Sequence, residues 1–167
     1  VTPCSFTANV SSIKLQNATL RFSELTMYSP VINSVGSNIL VNGTQSGGPG
    51  SPSDPRAGVS YAGYGGSCGD VTFNPYGNYD DIYNQTAVNM TYGSGFSNDT
   101  NSLGGGKIVI ISVSDMTLTN TTLNASGFGN CSAKLFTNGG SGGYVWIERQ
   151  SGTNGKESIS GTVIDVS

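Results

Sequence analysis

Asn9, Asn17, Asn42, Asn84, Asn89, Asn98, Asn120, Asn124 and Asn130 each stand two places before a Ser or Thr, and none has Pro between. Such a triplet accepts an N-linked glycan when the asparagine is exposed in a secreted chain. With 16 Asn and 40 Ser plus Thr among 167 residues, chance accounts for about four triplets, fewer than half of the nine present. Three of them crowd into "NTTLNASGFGNCS". The competing reading is that Asn, Ser and Thr abound in β corners and ladders for structural reasons alone. Several glycosylated asparagines are the expectation.

Other chemistry is thinly represented. "GGGK" at Gly104 to Lys107 has part of a phosphate-binding loop, but that loop needs GxxxxGK, then Ser or Thr, opening a helix. Here Ile108 follows and a strand begins, so a tight turn is the better reading. "GGSCGDVTF" lacks the spacing and repetition of a calcium-binding β-roll; Asp70, Asp80 and Asp81 are solvated carboxylates or, as the alternative, calcium ligands. Carboxylate-pair hydrolysis would need two facing acids, and "YDDIY" with Asp80 and Asp81 is the one adjacent pair. Elimination would need a base such as Arg56 or Lys107. There is no His to activate a serine, and Glu24, Glu148 and Glu157 form no dense constellation. The expectation is a chain that is not an enzyme and holds no cofactor or metal. "GGYVWIE" places Tyr144 and Trp146 on one face of a strand and Val145 and Ile147 on the other. If the aliphatic pair points inward, the two rings face a glycan or a neighbouring subunit.

Composition narrows the class. Apolar residues make up 35% of the chain and Gly contributes 25 residues, so the core must be lean. Only 7 basic and 10 acidic residues are present, for a net charge of −3, well short of an ordinary charged surface. Hydroxyls, amides and sugars must then hydrate the exterior. Mild acidity without a basic cluster argues against nucleic acid, and no apolar run reaches the roughly 18 residues of a membrane span. Cys4, Cys68 and Cys131 are far apart and form no CxxC pair. One internal disulfide and one odd thiol, to pair with a missing part of the chain or with a neighbouring subunit, is the simplest accounting in an oxidising compartment; the pairing stays open. The chain starts "VTPC" with neither Met nor signal peptide, and is expected to be a mature or excised piece of something larger.

The elements that must position these residues are strands. No helical periodicity persists, whereas "SIKLQ", "ATLRFSELTMY", "NILVNG", "KIVIISVSDMTLT", "GYVWIE" and "GTVIDVS" are rich in β-formers and bounded by turn residues. "GGGKIVIISVSDMTLTNTTLNASG" and "SGGYVWIERQSGTNGKESISGTVIDVS" repeat one order of parts. The offset between them is 37 from Ile108 to Val145 and 41 from Asn124 to Asp165. A weaker echo lies in "SSIKLQNATLRF…NILVNGTQSGG". Self-similarity at this period, in short strands without helices, predicts an all-β fold, a right-handed parallel β-helix, as a single domain over 1–167. Residues 44–106 break the pattern in a long Gly/Ser/Pro/Tyr-rich excursion, either folded along the solenoid by its aromatics or disordered.

The succession "YAGYGGSCGDVTFNPYGN", "YGSGFSNDTNSLGGGKIVII", "NASGFGN", "NGGSGGYVWIE" and "SGTVIDVS" resembles the glycine-rich β-helical repeats of large secreted surface proteins in protists, algae and some bacteria. Gly104 to Ile111, Leu118 to Gly127 and Gly139 to Glu148 carry the likeness, which covers roughly Val59 to Ser167. It departs from the pattern in its dense glycosylation triplets. The resemblance implies a surface or matrix protein without catalytic residues. The expectation is therefore a structural extracellular glycoprotein, a subunit of a filament, hair, sheath or cell-surface coat, whose identical copies join head to tail. The alternative is a carbohydrate-binding adhesion module of a larger surface protein.

Overall fold

The computed structural model describes residues 5–41, 102–129, 142–150 and 154–166. The segment read as the 44–106 excursion lies almost wholly outside the described residues. So do Asn42, Asn84, Asn89, Asn98, Asn130 and all three cysteines.

No helix occurs among the described residues, and the strands are nearly all parallel. Within the described residues the chain passes four times through the same two sheets. The first pass contributes β1 (Ser5–Asn9), β2 (Ser12–Gln16) and β3 (Thr19–Phe22); the second, β4 (Glu24–Val35) and β5 (Asn38–Val41). After a two-residue strand β6 (Ser102–Leu103), the third pass comprises β7 (Lys107–Thr119) and β8 (Thr122–Asn124), followed by β9 (Phe128–Gly129). The fourth comprises β10 (Tyr144–Arg149), β11 (Glu157–Ser160) and β12 (Val163–Asp165). The larger sheet runs β1-β4-β7-β10, with β2 also on β4 and β11 also on β7; the smaller runs β12-β8-β5-β3. β6 and β9 form a separate antiparallel pair.

The repeat seen in the sequence is the register of the sheets. Val145 pairs with Ile108, and Asp165 pairs with Asn124, at the offsets of 37 and 41. The weaker echo is also real, since Thr19 pairs with Asn38 and Ile13 with Ile32. "KIVIISVSDMTLT" is one strand as read. "ATLRFSELTMY" is not: it divides at buried Ser23, where the chain leaves the smaller sheet for the larger. β4 then runs on through "SPVINSV", which the composition had hidden behind Pro30.

Pro30 fits because the ladder is irregular there. The register shifts between Ser29 and Val31, so that β7 carries one residue more than β4 over this stretch. A bulge spares the proline from the N–H it lacks. Two buried serines paired across the strands repair the site. Ser29 Oγ bridges its own strand at Val31 N and O. Ser112 Oγ lies 3.0 Å from the Pro30 carbonyl and 2.8 Å from that of Asp115, and donates to one or the other.

Packing follows the columns this register creates. Leu25 sits beside Ile108, Met27 beside Ile110, Ile32 beside Met116 and Ile39 beside Leu123. All are at most 1% exposed and, with Val41, Leu118 and Ala125, they form one core between the two sheets. Like residues stacked at the strand spacing of about 4.8 Å fill the interior without large aromatics. The glycines read as a possible phosphate loop are part of this close packing. A Cβ on Gly105 or Gly106 would collide with the Ala125 carbonyl or with Val41, while Gly106 N donates to Val41 O at 3.1 Å.

Candidate functional site

Two features of the stack bear on function: a corner column and the two outer edges. At the corner between the sheets every pass turns through the left-handed region. The four residues are Asn17 (φ 49°), Gly36 (φ 61°), Asn120 (φ 47°) and Gly161 (φ 58°). They occupy one column, each a single register step from the next. Asn17 N donates to Val35 O, Gly36 N to Thr119 O and Asn120 N to Ser160 O, each at 2.9 Å. Asparagine and glycine are the residues that tolerate this conformation, and here they alternate. The alternation has a steric cause: Asn17 Oδ1 stands 2.5 Å from where a Cβ on Gly36 would be, and Asn120 Oδ1 fills the same space beside Gly161.

The next column inward carries hydroxyls after Ala18, with Ser37 and Thr121 buried and Thr162 half-buried. Ser37 Oγ donates to Val35 O at 3.2 Å, and Thr162 Oγ1 donates to Leu118 O at 3.0 Å. Thr121 Oγ1 lies 3.0 Å from Ser34 Oγ and within 3.2 Å of the Ser34 and Thr119 carbonyls. At Val35 and Thr119 these bonds add a second donor to carbonyls that already accept a corner amide, and they satisfy the buried hydroxyls themselves.

Four of the nine glycan acceptors fall on described residues. Asn9, Asn17 and Asn120 are exposed, Asn9 on β1 and the other two in the corner column. Asn124 is different. It is half-buried, its Nδ2 donates to Asp165 Oδ2 at 3.2 Å, and its Oδ1 accepts from Ser126 N at 3.1 Å.

The aromatic pair lies on the outer face of β10. Val145 and Ile147 pack against the core, so Tyr144 and Trp146 point away from it, as the alternation implied. Their centroids are 6.3 Å apart with planes tilted by 41°. Trp146 Nε1 donates to Glu148 Oε2 at 2.9 Å, and on the neighbouring strands Lys107 and Glu24 pair at 3.6 Å. The Tyr144 hydroxyl is buried without a partner among the described residues, and burial pushes its pKa up to about 12. A phenol raised above its unfolded value of about 10 contributes stability below that pH, which is lost as the pH climbs toward 12. Alkaline unfolding should therefore steepen above pH 10, and Tyr144→Phe should flatten that limb. An unchanged limb in the variant would show that another group controls it.

The outer edges form the second feature. At the first pass Phe6 is 45% exposed although it occupies the column of fully buried Leu25. It stacks on Phe22 at 5.2 Å. At the fourth pass Ile159 and Ile164 are 44% and 49% exposed, although their partners Leu118 and Leu123 are fully buried. Core positions are thus open at both ends of the stack.

Sequence reasoning had singled out Asn17, Asn120 and Trp146 and aligned Asp165 with Asn124, but missed Gly36, Gly161 and Arg21 as members of columns. The offset of 41 that aligned Asn124 with Asp165 also aligns Asn120 with Gly161, and was the signal available. Compared with protein-family models, curated proteins and solved structures, the chain matches none of them.

Proposed function

We propose that this chain is a structural extracellular glycoprotein, a closed right-handed parallel β-helix that adds copies of itself head to tail in a filament, hair, sheath or cell-surface coat. The observation that carries the reading is the pair of open ends. Among the described residues the outermost parallel strands have no further strand beside them, and with half-exposed core residues at Phe6, Ile159 and Ile164 they invite a further strand layer at either end. The two ends are different surfaces, and joining unlike surfaces generates fibres rather than closed dimers. The odd cysteine would lock such a joint covalently. Electron microscopy of the native material without reducing agent tests the proposal: regular filaments are expected, and isolated particles would sink it.

The glycan coat belongs to the same proposal. Asn17 and Asn120 alternate with glycines on an exposed corner, so sugars there would line one ridge at every second layer. A sugar on Asn124 Nδ2 would crowd the Asp165 carboxylate it now contacts. Peptide mass spectrometry of the secreted chain should find Asn17 and Asn120 occupied and Asn124 largely bare. Full occupancy of Asn124 with bare corners would reverse the assignment.

The tilted Tyr144–Trp146 pair favours a second reading, a carbohydrate-binding adhesion module that recognises sugars by ring stacking. In that case the chain stays monomeric, binds glycans saturably, and loses the binding in Trp146→Ala.

A further inference from the structure

We infer that the joint between copies has one register, set by the corner column and by an Arg21–Asp165 pair, in which the fourth pass of one chain receives the first pass of the next. This rests on the head-to-tail reading above and specifies its interface.

The inference follows from extending the existing columns by one step. Asp165 aligns with Asn124, Asn124 with Leu40, and Leu40 with Arg21. A copy docked in the same register therefore sets its Arg21 beside Asp165. Asp165 already accepts from Asn124 Nδ2 in the layer beside it. A carboxylate has lone pairs for several donors, and the next copy's guanidinium adds a charge-assisted one. Opposite charges facing each other across parallel strands are stabilising and select register.

The corner agrees. Four layers read Asn17, Gly36, Asn120, Gly161, and the next copy's Asn17 restores the alternation beyond Gly161. Within the chain each corner amide donates to the following layer. By the same rule Gly161 N donates to the next copy's Gln16 carbonyl. The apolar columns also continue, since Phe6 comes beside Val145, Leu15 beside Ile159, Leu20 beside Ile164 and Phe22 beside Val166. Each of these residues is only partly buried in the single chain.

One column resists. Glu157, held by Arg149 at 3.8 Å, stands where the next copy brings Ile13. An inward charge on a sheet edge discourages indiscriminate pairing. Here it penalises loosely matched partners, while the pairs on either side of it favour this register.

Charge reversal of the full secreted chain is the test, read as the critical concentration for assembly by sedimentation at low salt. Arg21→Asp and Asp165→Arg should each raise it about three- to thirtyfold, and the double reversal should return it to within about threefold of the parent. Circular dichroism melts on the unassembled chains exclude misfolding as the cause. Glu157→Gln, which leaves Arg21 and Asp165 untouched, should lower the critical concentration. If the parent assembles, and the single reversals assemble as well as it does or the double reversal is worse than either, the register is wrong while the filament stands. Failure of the parent itself to assemble overturns the filament reading, and this interface with it.

Discussion

Alanine at Gly36 should lower the stability of the chain by about 2–3 kcal/mol, a drop easily read in a denaturant melt. The left-handed backbone accounts for about 1–2 kcal/mol of that for any residue with a Cβ, and Gly36 has φ 61°. The remainder is steric. Asn17 Oδ1 stands 2.5 Å from the new carbon, so either the asparagine abandons its position or the layers separate. Removing the obstacle in Asn17→Gly/Gly36→Ala should recover about 1 kcal/mol, leaving the conformational cost alone. A double variant no more stable than Gly36→Ala would mean that the two residues do not compete for the same space.

The second large effect is a contrast within one column. Leu123 and Ile164 are register partners, yet the first is fully buried and the second 49% exposed. Leu123→Ala should cost about 2–5 kcal/mol, because it leaves a cavity between Ile39 and Ile164 in the buried core. Ile164→Ala should cost the isolated chain about 1 kcal/mol or less, since half of its surface already meets water. Assembly changes the expectation. With a further layer covering it, Ile164 becomes a core residue, and its truncation should then weaken filaments far more than monomers. Equal effects on both states would indicate that nothing covers this end.

The two results address different parts of the molecule. The glycine substitution probes how layers are spaced at the corner, and the column contrast probes where the stack stops. Together they explain why a chain with only 35% apolar residues holds a core. Each buried side chain is shared between layers above and below, so a few aliphatic columns serve the whole. Among the described residues the end layers have no further layer beyond them, and their core residues are the exposed ones.

The all-β class and much of the register were legible in the amino-acid order alone. Val145 aligned with Ile108 and Asp165 with Asn124 because identical layers must present like residues at like places, and that leaves a period in the sequence. The separation of Tyr144 and Trp146 from Val145 and Ile147 onto opposite faces was legible too, since a strand alternates its faces, whereas which face turns inward was decided by the fold. What the sequence could not show was decided by contacts across long separations. Asn17 and Gly36 are 19 residues apart, Gly36 and Asn120 are 84 apart, and no local pattern marks them as neighbours in one corner. The break at Ser23 and the continuation through Pro30 were hidden for the same reason: strand propensity is local, whereas a switch of sheet and a bulge are set by the partner strand. Asn124 shows the distinction most directly. Its triplet is identical in kind to that of Asn120, and the repeat aligns it with Asp165, but only the fold shows the carboxylate bonded to its amide while Asn120 stays exposed.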